Sequence, residues 1–183
     1  MKTITLVGHR RPDYLLSTMD ALINCDCLDQ FGKLVVRIDP GFPHVRAIAE
    51  AAAEQMASHG LIDVDVLENK EKLGVTYNPR AALGTAFEDL NSDFNVAIED
   101  DAVLSRDALR LALWFYETHG GPLSDYTLLS MCNHRDYGNG HNPNVEEDPS
   151  YLAESVHLTS PYAWCVSKYQ WDFVSCTWNC KKS

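Results

Sequence analysis

An α/β fold with a largely parallel sheet covered on both faces is what the sequence predicts, and three observations predict it. Short β-branched, apolar stretches recur through the first hundred residues. Each is followed by a segment of helical period, about 10 to 17 residues long. No internal repeat or low-complexity linker interrupts the alternation, and 183 residues suit a single domain spanning 1–183.

The elements follow in order. "TITLVG" (3–8) reads as a strand, and "RPDYLLSTMDALINC" after it as a helix with Pro12 in its first turn. "KLVVRID" (33–39) is the next strand; past the turn "PGFP", the Ala-rich "HVRAIAEAAAEQMASHG" is a helix stopped by Gly60. "IDVDVLE" is a third strand, leading through a loop "NKEKLGVTYNP" to the helix "RAALGTAFEDL". "FNVAIE" (94–99) is a fourth, followed by acidic residues and the helix "SRDALRLALWFYETHGG", for which Ser105 is the natural N-cap. A fifth, "YTLLSMCN", ends near Asn133. Regularity then breaks at "HRDYGNGHNPNVEEDPS", too long for an ordinary connection in a compact domain. A short "ESVHL", the aromatic strand "SPYAWCV" and a helical "SKYQWDFVSC" follow.

Composition removes several function classes. The formal charge is -11, which makes nucleic acid a poor candidate partner, since duplex binding depends on clustered Lys and Arg. No apolar run approaches the roughly 18 residues of a membrane span, and the N-terminus lacks a signal-peptide core, so a cytoplasmic protein without membrane contact is expected. The six cysteines form a CxC and a CxxxC but no paired CxxC framework; they read as buried or half-buried thiols rather than a zinc site.

In open α/β sheets ligands bind beyond the carboxyl ends of the strands, where strand order switches. The strand ends here carry His9 and Arg10, Asp39, Glu68 to Lys70, and the run Glu99, Asp100 and Asp101. Three adjacent carboxylates repel one another unless something positive compensates, and a divalent cation with oxygen ligands answers that need. On an extended segment side chains alternate, which puts Glu99 and Asp101 on one side and Asp100 on the other. A plainer account is that the acids merely surround a helix N-terminus, where the macrodipole favours them.

The neighbouring segments add a resemblance. A strand, then E-D-D, then a helix, preceded by "NPRAALGTAF" and followed by "LLSMCNHRDYG", resembles the GT-A fold glycosyltransferases of the N-acetylglucosaminyltransferase I family, over residues 3 to 175 and in that family's order. The family ends a strand in E-D-D as its version of the DXD motif, with an R-x-A-L-G-x-x-F helix upstream and a W-N-D-N-G-like loop downstream. The resemblance implies a Rossmann-like, three-layer GT-A sandwich with a mostly parallel central sheet. Residues 1–101 would form its nucleotide-sugar-binding half and 102–183 its acceptor-side half. It implies metal-dependent transfer of a sugar, with inversion, from a nucleotide-diphosphate sugar such as a UDP-sugar to a hydroxyl of a glycan, protein or small-molecule acceptor.

By the same resemblance Asp101 is the direct ligand of Mn²⁺ (or Mg²⁺), and Glu99 and Asp100 contact the donor. Arg10 corresponds to an arginine that meets the nucleotide, and Asp39 to an aspartate that accepts a hydrogen bond from uracil. Arg80 matches an arginine of the family helix, while Asn78 stands where the family has a histidine near the donor, which leaves donor identity open. Read from the residues alone, Arg10 is equally a surface arginine and Asp39 an ordinary turn aspartate before Pro40 and Gly41.

An inverting transferase needs a carboxylate base within reach of the acceptor hydroxyl. The family's base lies roughly 20 residues past a G-W strand, which falls at or beyond Ser183. Asp172 in "QWDF" and Asp136 in "CNHRDYGNG" are the candidates; the plain alternatives are the polar face of a helix and a solvated loop acid. Tyr137, Tyr162 and Trp164 could stack on a sugar, though a Trp in an apolar strand is more often core, and His134 and His141 lack a third metal ligand in register. The competing reading is a nucleotide-sugar-binding or assembly protein that keeps a degenerate GT-A fold without a base. A nucleotidyltransferase fits less well, because "GHRRPD" only partly imitates a Gly-rich phosphate loop.

Overall fold

A computed structural model of the chain describes residues 1–124, 128–131 and 162–177. The elements are β1 (Lys2–Gly8), α1 (Pro12–Ile23), β2 (Lys33–Ile38), α2 (Pro43–Ser58), β3 (Asp63–Glu68), α3 (Gly74–Gly84), β4 (Phe94–Glu99), α4 (Ala108–His119), β5 (Leu129–Ser130), β6 (Ala163–Ser167) and α5 (Lys168–Thr177). A 3₁₀ turn, Leu28–Gln30, precedes β2, and α3 runs into a π-helical turn, Thr85–Asp89.

The strands form one six-stranded sheet in the order β3-β2-β1-β4-β6-β5. The first four are parallel; β6 runs antiparallel to β4, and β5 to β6. Leu6 of β1 pairs with Val36 of β2 on one side and Ile98 of β4 on the other. Strands sandwiched between helices are buried on both faces, and "TITLV" and "FNVAI" are buried almost throughout, with Ile4, Leu6, Phe94, Val96 and Ile98 on one face and Thr3, Thr5, Asn95 and Ala97 on the other.

The larger core lies on the face of Ile4, Leu6, Val36 and Ile98, against Leu15 and Met19 of α1, Val45 and Met56 of α2 and Leu109 of α4. The opposite face has a smaller core in which Leu83 and Phe87 meet Ala97, Trp164, Val166 and Trp171. Phe87 and Trp171 stack with centroids 5.5 Å apart. Truncating a buried aromatic such as Trp171 costs about 3–5 kcal/mol, so α5 is anchored to the sheet by that one side chain more than by any surface contact. The rest of this face is polar and self-satisfied: the Thr3 hydroxyl donates to Ser92, Thr5 to Asn95 Oδ1, and Asn95 Nδ2 to Thr3.

Three elements depart from the sequence reading. The helix expected from Ser105 begins at Ala108 behind Asp107; the Ser105 hydroxyl donates to the Asp107 carboxylate rather than capping a helix amide. The loop expected over 69–79 is helical from Gly74, with Pro79 inside the helix. β5 pairs over Leu129–Ser130, antiparallel rather than as another parallel strand. "ESVHL" lies outside the described residues, whereas "SPYAWCV" contains β6 and Trp164 is core. Cys25 and Cys165 are buried, Cys27 is half-buried and Cys176 exposed, all four unbridged; Cys132 and Cys180 lie outside the described residues. Among the described residues no helix is long and apolar enough to cross a membrane.

Candidate functional site

The chain winds outward from β1 through β2 to β3, then returns to place β4 on the other side of β1. The carboxyl ends of β1 and β4 therefore flank the switch in strand order, where neighbouring connections diverge and leave a crevice. A small cleft of about 60 Å³ opens there, lined by Val7 near the end of β1, His9 and Arg11 past it, Gly74 and Asn78 of α3, and Glu99 and Asp100 at the end of β4.

The acidic run is a turn rather than an extended strand. The Asp100 amide still donates to Val7 O at 3.1 Å, but the Ala102 amide donates back to Glu99 O at 3.1 Å, closing the chain on itself. The expected alternation is lost for that reason. Asp100 and Asp101 converge on one side, both accepting from Arg11 Nη2, at 2.7 and 2.8 Å.

Asp100 is almost fully buried, its second oxygen accepting the His9 amide at 2.9 Å. Its carbonyl accepts the Thr18 hydroxyl at 2.9 Å, which ties the turn to α1. Asp101 is half-buried; its Oδ1 is shielded from solvent and has no hydrogen-bond partner among the described residues. Burial, then the charges of Asp101 and Asp100, push the Glu99 carboxyl up to about 7, with Arg11 acting in the opposite direction. Burial works against the Arg11 charge too, but its bonds to the two aspartates outweigh that and raise its pKa. One guanidinium thus faces three carboxylates, and the deficit of positive charge remains.

The second carboxylate is Asp39, past β2. It is completely buried, and the protein satisfies it: Oδ1 accepts Asn69 Nδ2 and the Leu73 amide, Oδ2 the Gly74 amide, each at 2.9 Å. His9 Nδ1 lies 3.6 Å from Oδ2. Burial would raise the Asp39 pKa, but those three donors and nearby His9 hold it below the ordinary aspartate value. Asn69 also accepts from Arg37 Nε at 2.7 Å and donates to Asn78 Oδ1 at 2.8 Å. This network starts α3: the carboxylate that caps its first amides lies 34 and 35 residues upstream.

The structure brings Glu99, Asp100 and Asn78 to the cleft and Asp101 to the turn beside it. Arg10 is exposed, and Arg80, on α3, does not line the cleft. Asp172 sits on the exposed side of α5, paired with Lys168 one turn earlier, and is not among the cleft residues. Tyr162 is half-buried and its carbonyl accepts the Glu99 amide at 2.8 Å. Asp136, Tyr137, His134 and His141 lie outside the described residues.

Sequence reasoning missed Arg11 and Asn69. A signal existed for Arg11: it precedes Pro12, which keeps it out of the helical region (φ -116°, ψ 83°) and holds it at the crevice. Asn69 lay within the strand-end run Glu68 to Lys70, but nothing in the sequence singled it out, since its partners are set by tertiary contact.

Among the described residues no three His, Cys, Asp or Glu side chains converge as a cation cage. A cation here would instead use one or two carboxylates and keep positions for other oxygens, and the partnerless Asp101 Oδ1 fits that role.

The arrangement defines a Rossmann-like α/β protein with an acidic site at its switch point, of the GT-A type. Several solved glycosyltransferases are similar to it in fold. The mannosyltransferase PcManGT from Pyrobaculum calidifontis, in complex with GDP-Man and Mn²⁺, aligns at TM-score 0.65 and 16% identity over 94% of this chain and 46% of its own. Residues 1–349 of S. aureus TarS, in complex with UDP, align at 0.65 and 15% over 96% of this chain and 49% of that one. The glycosyltransferase GlyE of Streptococcus pneumoniae TIGR4 aligns at 0.51 and 12%, over 96% and 36%. The chain spans about half the length, or less, of these structures. No protein-family model and no curated protein matches the sequence.

Proposed function

We propose that this chain is a GT-A glycosyltransferase domain, 1–183, that binds a nucleotide-diphosphate sugar, a UDP-sugar in the first instance, and transfers the sugar to an acceptor hydroxyl with inversion. The carrying observation is the acidic turn at the β1/β4 switch point, where one arginine faces three carboxylates and the buried Asp101 Oδ1 has no partner among the described residues. The solved structures support the reading, since one holds GDP-Man with Mn²⁺ and another UDP. Kinship with the N-acetylglucosaminyltransferase I family rests on the E-D-D motif and its flanking segments.

In this reading residues 1–101 hold the donor and 102–183 face the acceptor. Asp101 is the ligand of Mn²⁺ or Mg²⁺, which when bound supplies Lewis-acid neutralisation of the diphosphate leaving group. Glu99 and Asp100 face the donor in the cleft, and Asn78 lines its other wall. Arg10 and Arg80 flank the nucleotide from outside the cleft, where their charge helps an acidic protein attract an acidic donor. Asp39 acts on the donor through the segment it orders: with its oxygens accepting Asn69, Leu73 and Gly74, it shapes the wall of Gly74 and Asn78.

Transfer breaks the bond from the anomeric carbon to the diphosphate, forms one to the acceptor oxygen, and passes the acceptor proton to a carboxylate base. Asp136 takes that role ahead of Asp172, whose pairing with Lys168 on an exposed helix face favours a surface function. The engagement of Asp172 also supports a second reading, a donor-binding or assembly protein without a base.

A thermal-shift panel of UDP-, GDP- and dTDP-sugars with and without Mn²⁺ tests the proposal. A shift that requires both sugar nucleotide and metal is expected, and no shift with any pair would sink it. Binding without hydrolysis or transfer to any acceptor would select the second reading.

A further inference from the structure

Arg11 holds its two carboxylates through a single nitrogen, Nη2, 2.7 Å from Asp100 Oδ1 and 2.8 Å from Asp101 Oδ2. Arginine grips a carboxylate best through a two-nitrogen fork, and neither aspartate receives one. The two aspartates are also held differently. Asp100 is buried, with the His9 amide on its other oxygen and the Thr18 hydroxyl on its carbonyl. Asp101 is more open, and among the described residues only Arg11 hydrogen-bonds its carboxylate. The Arg11 side chain is 41% exposed, and its guanidinium carbon lies 4.8 Å from the centroid of the half-exposed Tyr14 ring. A guanidinium that lets go of Asp101 therefore keeps two anchors, Asp100 and an aromatic face.

We infer that Arg11 is the resident counter-ion of the acidic turn: it occupies Asp101 in the metal-free protein, and a divalent cation binding Asp101 displaces it. The inference rests on the metal-dependent reading above and adds to it the residue that sets cation affinity. A cation bonded to Asp101 and a guanidinium 2.8 Å from the same carboxylate would place like charges a few ångströms apart in a partly desolvated turn. The more weakly held positive group yields, and it yields at Asp101 rather than at Asp100. Arg11 is thus a positioning residue: it keeps the turn assembled when no cation is present and makes the cation compete for its ligand.

The test is Mn²⁺ titration of the full chain, followed by electron paramagnetic resonance, together with melting in EDTA. Arg11→Gln should bind Mn²⁺ roughly tenfold more tightly than the unaltered protein, while Arg11→Lys, which keeps the charge, should not. In EDTA, Arg11→Gln should melt a few degrees lower, and the loss should shrink when Asp101→Asn is already present. Should Arg11→Gln alone fail to fold, Arg11→Gln with Asp100→Asn removes one charge of each sign and should still bind Mn²⁺ more tightly than the unaltered protein.

Equal or weaker Mn²⁺ binding by Arg11→Gln, or by the double variant where the single one does not fold, overturns the inference, and so does no binding in any of the proteins. If the unaltered protein binds Mn²⁺ and UDP-sugar but the variants gain nothing, only this inference fails. If it binds neither, the proposed function fails with it.

Discussion

Asp39 and Asp101 stand past the ends of two strands separated only by β1, and the fold treats them in opposite ways. Asp39 is completely buried, and three donors at 2.9 Å with His9 nearby keep it ionised. Asp101 is half-buried, shares one arginine nitrogen with Asp100, and has an oxygen with no partner beside a Glu99 pushed up to about 7. A carboxylate whose bonds the protein completes serves architecture. One whose bonds are left open, in a site short of positive charge, is where a ligand can contribute.

That contrast can be broken by mutation. The largest effect expected is on folding at Asp39: Asp39→Ala leaves the amides of Leu73 and Gly74 and the Asn69 side chain without their acceptor, costing about 3 kcal/mol of stability in urea unfolding. A cost below about 1 kcal/mol would mean the network is dispensable and the contrast false. Asp101→Ala should show the reverse pattern. Mn²⁺-dependent UDP-sugar binding should fall about 100-fold by calorimetry, with stability within about 1 kcal/mol of the unaltered protein. Unchanged donor binding would move the cation site elsewhere.

A smaller effect is expected with pH. The folded protein holds the Glu99 proton more tightly than the unfolded chain does, whose value is near 4.5. This contribution to metal-free stability is therefore full below about pH 4.5 and is lost as pH rises through about 7. The loss amounts to about 1–2 kcal/mol, reduced from the full linkage value because Glu99 is partly open to solvent. Glu99→Gln should remove this dependence, measured by unfolding at a series of pH values; a slope of the same size in the variant would assign it to other groups. Smallest of all, Asp172→Asn should change stability by less than about 0.5 kcal/mol and leave donor binding intact. A large loss of transfer with binding preserved would restore Asp172 as the base.

The parallel core was legible because burial on both faces writes itself into composition. The run Phe94–Glu99 was legible to the residue, and the strand-end rule points to the edge where the small cleft lies. Within the site, residue type was legible and geometry was not. The acids were visible, but the turn that swings Asp101 round to Asp100 is closed by a hydrogen bond from Ala102 that no side-chain pattern announces. Arg10 and Arg11 are adjacent in a six-residue stretch, and only Pro12 distinguished them.

By itself, the sequence determined strand and helix identity over most of residues 1–119 and the gathering of acidic groups at one sheet edge, because both depend on local periodicity and on burial that composition records. Only the tertiary structure decided where α3 begins, which carboxylate is saturated, and which arginine answers the acidic turn. Each of those is settled by a hydrogen bond or ion pair spanning 30 to 90 residues, from Asn69 to Asp39 or from Arg11 to Asp101. Such bonds form only once the sheet has brought the ends of its strands together.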